Sequence, residues 1–300
     1  MNKNYKLTQK RVWKIGLFFI FPFLLPHLGL SQIKKDSLFL QYLLSNNYPK
    51  EAVTFLNQLQ NKYPESSQHQ FDLLFWKGFS HYNLKNLDSS IASFSKVLPS
   101  SVFYKKSLFL KGISLGYLKK NDSAKNTFLT ISNNANDSIS TATKTFELAG
   151  IALLQRNLPT FDSLSHHFSE QYYPLQKQQS NFRDYKEILL KQQRKSPLKA
   201  ALLSAILPGA GKIYVGGQLG QGISTFLQNA ILGVQAYEGL SKDGVASPRF
   251  IVYGALFSLF YIGNIWGSSI SAKIKRQEFN DKIDDQILFD MHIPLRTIFN

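Results

Sequence analysis

The 300-residue chain carries 35 lysines and arginines against 19 aspartates and glutamates, a formal net charge of +16, and no cysteine. That length holds one or two domains with a sizeable core. The missing thiol removes disulfides, thiolate metal sites, a cysteine nucleophile and a lipidated N-terminal cysteine together.

The first 14 residues hold Lys3, Lys6, Lys10, Arg11 and Lys14 and no acid, and an apolar run follows from Ile15 to Leu30. Gly29-Leu30-Ser31 closes it with small residues. Basic region, apolar region and small-residue site together read as a secretory signal over 1–31. Pro22 and Pro26 break the run, which is short for a membrane span. The expected location is a bacterial cell envelope, with the chain as an integral membrane protein.

A step of 34 residues superimposes Gly78 on Gly112, Ser90 on Ala124, Phe94 on Phe128 and Val97 on Ile131. The matches all fall on small or apolar residues, which predicts stacked helical pairs: small residues where helices cross, phenylalanines filling the gap between units. In this frame four units cover about 33–66, 70–102, 104–137 and 141–173. The first contributes Ala52 and Pro64, twelve apart, and the fourth is looser, with Phe146, Gly150 and Phe161. Residues Ala52, Gly78, Phe94, Gly112, Ala124 and Phe128 are the expected packing positions. Adjacent histidines His166 and His167 point about 100° apart on a helix and make a poor chelate.

The repeat over 33–173 resembles tetratricopeptide repeats, whose units are 34 residues long. It lacks that family's tryptophan, and Lys85 and Lys119 stand where a turn glycine is common. The resemblance implies a solenoid whose concave face holds a protein or peptide partner.

A basic connector follows over 174–195. It abuts an apolar region, so lipid headgroups are the expected contact rather than nucleic acid, with a solvated helix face as the alternative. Residues 213–237 and 250–272 contain no charge and are long enough for two spans. With the 240–248 turn they read as a transmembrane helical hairpin inside a membrane domain at 196–275. Gln221, Gln228 and Gln235 recur every seven residues, and Gly263, Gly267 and Ser271 every four. A polar stripe in lipid calls for a partner helix or a wet cavity, and a small-residue stripe allows close helix contact. The two faces satisfy each other within the hairpin, or they meet a second copy or another membrane protein.

Before the hairpin, 196–214 reads as a half-inserted helix broken at Pro208-Gly209. Gly209-Ala-Gly-Lys212 is no phosphate loop, because Ile206 and Ile213 occupy the required glycine and hydroxyl positions. The segment Ser204-Ala-Ile-Leu-Pro-Gly-Ala-Gly-Lys-Ile-Tyr214 resembles a family of bacterial membrane proteins with the signature Ser-Ala-x-Leu-Pro-Gly-x-Gly-x-x-Tyr. Pro208, Gly209, Gly211 and Tyr214 carry the likeness, while Lys212 replaces the family's usual glutamine. The resemblance implies membrane insertion and no catalytic residues.

The last segment, 276–300, reads as a polar helix and then a short strand, since Ile287, Phe289, Met291, Ile293 and Leu295 alternate. Topology is in conflict. A signal at 1–31 puts the repeats on the non-cytoplasmic side, whereas basic residues at 191–199 and 273–276 argue for the cytoplasm by the positive-inside rule. The three-part signal is the more specific pattern and is preferred. The expected fold is all-α, a tetratricopeptide-like solenoid followed by the hairpin. The expected role is a membrane-anchored scaffold or adaptor, not an enzyme, with no cofactor and no metal. The alternative is an oligomeric small-solute path or transporter accessory built from the hairpin.

Overall fold

The computed structural model describes residues 35–63, 72–133, 137–169, 171–191 and 195–299. The signal read over 1–31 and the proline at 64 lie outside the described residues. Among the described residues all regular structure is helical.

Among the described residues eight helices precede the connector: α1 (35–45), α2 (Pro49–Lys62), α3 (Leu73–Asn83), α4 (Leu87–Phe94), α5 (Tyr104–Tyr117), α6 (Asn121–Leu129), α7 (Ser138–Leu154) and α8 (Leu158–Ser165). They form consecutive hairpins with one turn used four times. Asn47, Lys85, Lys119 and Arg156 each adopt positive φ, between 58° and 60°. At each, the positive-φ amide donates three residues back and the next amide five residues back: Lys85 to Tyr82 O and Asn86 to His81 O, Lys119 to Gly116 O and Lys120 to Leu115 O. This is the Schellman closure, which pairs carbonyls that a helix end leaves open. Left-handed backbone costs a side-chain-bearing residue roughly 1–2 kcal/mol, so packing on both sides of the turn must hold it.

That packing repeats with the turn. Phe75 and Phe109, 34 residues apart, are fully buried on the first helices of their hairpins. They meet Phe94 and Phe128 of the second helices at 5.9 and 6.2 Å between ring centroids, with interplanar angles of 39° and 43°. The hairpins stack through α2 on α3, α4 on α5 and α3 on α5.

The compact units do not follow chain order. One comprises Met1–Ile151, Leu164–Pro174 and Met291–Asn300; the other comprises Ala152–Ser163 and Leu175–Asp290. The second unit holds the turn around Arg156, whose guanidinium pairs with Asp284 at 2.7 Å and reaches Asn280. It also holds most of α9 (Tyr173–Lys191), where Asn181 and Tyr185 donate to the Asp290 carboxylate at 2.9 and 2.7 Å. Its remaining helices are α10 (Pro197–Ile206), α11 (Ala210–Val215), α12 (Leu219–Glu238) with a π turn at Gly239–Asp243, and the body of α13 (Pro248–Phe299).

Helix α13 has 52 residues, about 78 Å at 1.5 Å per residue. It is long and apolar enough to cross a membrane, and only 6% of its most apolar 18-residue window is buried. The core helix of a water-soluble domain would bury such a window. Of the two expected spans this is the one that qualifies. Helix α12 is long enough at 20 residues, but its glutamines, Asn229, Ser224 and Thr225 lower its hydropathy.

The expected C-terminal strand is a helix. Ile283, Ile287, Met291 and Leu295 form an i, i+4 stripe that is wholly buried, while Phe289, which belonged to the alternating pattern, is 61% exposed. Three residues fit both periods, and α13 runs into the segment already formed, so extending it costs no new nucleus.

Candidate functional site

The segment around Pro208-Gly209 is a break between two short helices, clasped by α13. Ser196 caps α10 by accepting from Lys199 N, and Pro197 at the first helical position has no amide to leave open. Helix α10 ends at Ile206, and Gly209 turns the chain at φ +88° into α11. A helix end exposes carbonyls and a helix start exposes amides. Here α13 satisfies both. Asn264 donates to Ser204 O at 3.3 Å and accepts from Gly209 N at 3.2 Å. Tyr261 OH donates to Ala205 O. Ser204 Oγ accepts from Gly211 N at 3.0 Å and lies 2.6 Å from Ser268 Oγ. Asn264, Ser204 and Ser268 are all buried.

The glycines are explained by contact. A Cβ at Gly211 would stand 2.0 Å from Ala200 O and 2.4 Å from Ser204 Oγ; one at Gly209 would stand 2.0 Å from Gly222 O. No side chain fits at either place. Pro208 is half-buried at the apex.

Contact partners give the path of the chain. Ala205 meets Tyr261, Ser204 meets Ser268, and Ala200 packs with Ala272, so α10 runs antiparallel to α13. Val215 and Tyr214 rejoin that same Ala200–Ala272 cluster. The segment therefore goes in along α13, turns at Pro208-Gly209 and comes back to the end where it began. Ten residues of α10 rise about 15 Å, half of a bilayer's roughly 30 Å core. At the returning end Tyr214 OH accepts from Ser196 N at 3.2 Å, and its ring lies under Lys195 Nζ at 4.9 Å and Lys199 Nζ at 5.4 Å.

Both stripes named from the sequence sit one residue off the contact face. On α12 the buried residues are Gly222, Asn229 and Ala236, while Gln221 and Gln228 are exposed and Gln235 accepts from Arg249 at 2.9 Å. In the uncharged 250–272 part of α13 the buried residues are Asn264, Ser268 and Ala272, and a Cβ at Gly263 or Gly267 would meet nothing within 4 Å. Within this chain the stripe of Gly263 and Gly267 is open and the contact falls on the next residue, because one residue on a helix turns a side chain by about 100°, which leaves contact with a second copy or another membrane protein as the expectation for that stripe. Lys212 donates to Thr225 Oγ1 at 2.9 Å. Asn264 and Ser268 were missed, although an asparagine amide inside an uncharged, mostly apolar 23-residue run was a readable signal.

Among the repeat positions, Ala52, Gly78, Phe94, Gly112, Ala124 and Phe128 are all buried. A Cβ at Gly78 would stand 2.6 Å from the Phe94 ring, and one at Gly112 would stand 2.3 Å from the Phe128 ring. The compact unit that ends its first stretch at Ile151 also holds a buried polar group not expected from the sequence. Glu147 on α7 is 0% exposed, and neither carboxylate oxygen has a hydrogen-bond partner among the described residues. Burial pushes its carboxyl well above the usual range. Tyr82 OH lies at hydrogen-bond distance from His292 Nδ1, with the two rings stacked at 5.5 Å. Burial, and then Arg296, push the His292 imidazole down.

No group of three or more potential metal ligands occurs among the described residues. Comparison with protein-family models, curated proteins and solved structures finds no match for this chain.

Proposed function

We propose that the chain is a membrane-anchored helical scaffold: a tetratricopeptide-like array of hairpins, carried by an anchor that combines α12 and α13 as spans with α10–α11 as a re-entrant hairpin. The observation that carries this reading is the clasp around Pro208-Gly209. Broken backbone at membrane depth is tolerated only where protein satisfies its polar groups, and Asn264, Tyr261, Ser204 and Ser268 do so while the outward side chains Leu202, Ile206 and Leu207 stay apolar and exposed. The hairpin turn used four times, and the phenylalanine pair repeated in two of the hairpins, support the array. Its expected ligand is a protein or peptide, and assistance to envelope protein assembly is the role that such an architecture suggests.

Photo-crosslinking in intact cells from Lys125 and Leu129, both exposed on α6, tests the reading. A discrete partner band that competes with nothing in the bilayer supports a scaffold. A second reading, an oligomeric solute path, is favoured by Gln221 and Gln228 standing exposed on an apolar helix. If Gln228→Leu abolishes a solute flux and no partner crosslinks to α6, the path replaces the scaffold.

A further inference from the structure

The two ends of the anchor differ in charge. At the end beside the π turn, Arg249 pairs with Glu238 at 2.7 Å and with Asp243 at 3.9 Å, and Lys242 pairs with Glu238 at 3.9 Å. Two cations meet two anions there, and the end is closed. At the other end Ala200 packs with Ala272, which brings Lys199 and Lys273 to one level and places Lys195 and Arg276 about one turn further out on their chains. Lys275 pairs with Glu278. Lys195, Lys199, Lys273 and Arg276 have no carboxylate within ion-pair distance among the described residues.

Two of these cations are gathered on one ring. Lys195 and Lys199 lie over Tyr214 at 4.9 and 5.4 Å, and the ring is held by its hydroxyl bond to Ser196 N and by packing on Ala200, Val215 and Ala272. A cation over an aromatic face is attracted to it, but two ammoniums on one ring repel each other and leave a positive pocket that an anion would neutralise. The surface beside it is apolar: Leu198, Leu202, Ile270 and Ile274 are at least half exposed. A ligand that satisfies both surfaces carries a phosphate and acyl chains together.

We propose that this end of the anchor, with Lys195 and Lys199 around Tyr214, binds the headgroup phosphate of an anionic bilayer lipid. The proposal rests on the anchor reading. Basic residues at an anionic membrane surface each contribute about a five-fold gain in affinity, and Lys273 and Arg276 add to the same field. A nucleic acid would leave the apolar flank unsatisfied, and so would free phosphate.

The full-length protein is reconstituted into nanodiscs of equimolar phosphatidylglycerol and phosphatidylcholine, and the lipids retained after gentle detergent release are weighed by native mass spectrometry. Phosphatidylglycerol is expected to be enriched. Lys195→Gln with Lys199→Gln is expected to reduce the enrichment by about ten-fold or more, and Lys242→Gln, at the neutral end, to leave it unchanged. Equal retention of the two lipids, or an equal effect of Lys242→Gln, overturns the site. Displacement of the lipid by inorganic phosphate at matched concentration makes it a soluble-phosphate site and overturns the lipid assignment. A protein that never enters the nanodisc overturns the anchor itself, a failure distinct from entry without lipid preference.

Discussion

Glu147 is the residue most at odds with its surroundings. A carboxylate without a partner in a buried helix is costly, so the folded chain keeps it protonated above its ordinary value of 4.5. The unfolded chain releases that proton near 4.5, so between the two values the folded state binds more protons and stability falls as pH rises. Glu147→Gln keeps the shape and removes the titration. The melting temperature of the full-length protein in detergent is expected to fall from about pH 4 to about pH 8 by more than that of Glu147→Gln. Equal slopes would show that the carboxyl has a partner in solution. His292 acts with the opposite sign: pushed down from 6.5, it stabilises at higher pH and loses that contribution as pH falls. It is present in both proteins and cancels in the comparison.

At the scale of elements, the clasp turns a helix break into a rigid joint. Asn264→Leu would leave Gly209 N–H and Ser204 O without partners in a buried place. Each orphan costs about 1–3 kcal/mol, so a loss of about 2–6 kcal/mol is expected in detergent unfolding. Gly267→Ala, on the open face of the same helix, is expected to leave stability unchanged or raise it by up to about 1 kcal/mol through helix propensity. The reverse order would move the contact face of α13 back to the glycine stripe. Much of the hairpin array was legible, because the 34-residue step lands on Gly112–Phe128 contacts that admit no Cβ. Phe75 and Phe109 were not singled out, since a lone phenylalanine in a helix shows its burial only once its partner is known. The tail was misread because Ile287, Met291 and Leu295 fit a period of two and a spacing of four equally well, and the buried Ile283 decides for the helix.

For the whole molecule, orientation is the open contest between two signals. The leader-like N-terminus favours hairpins outside the cytoplasm, and the anchor's positive end argues against it. The absence of native cysteine makes the test direct. Single Ser66→Cys and Ser241→Cys variants are labelled in intact cells with a membrane-impermeant thiol reagent. Labelling at 66 with protection at 241 is the expected result. Labelling at 241 alone reverses the orientation, retains the anchor and moves the scaffold's partners to the cytoplasm.

Helix content, the hairpin repeat and the location of the apolar segments follow from the chain alone, because each is a local matter of periodicity, turn chemistry and length. Which face of α12 and α13 is buried, and what closes the break at Pro208-Gly209, was decided only in three dimensions. A rotation of about 100° per residue separates the exposed Gln228 from the buried Asn229, and Gly263 from Asn264. No local rule chooses between neighbours; the partner helix does, by which of them it can pair.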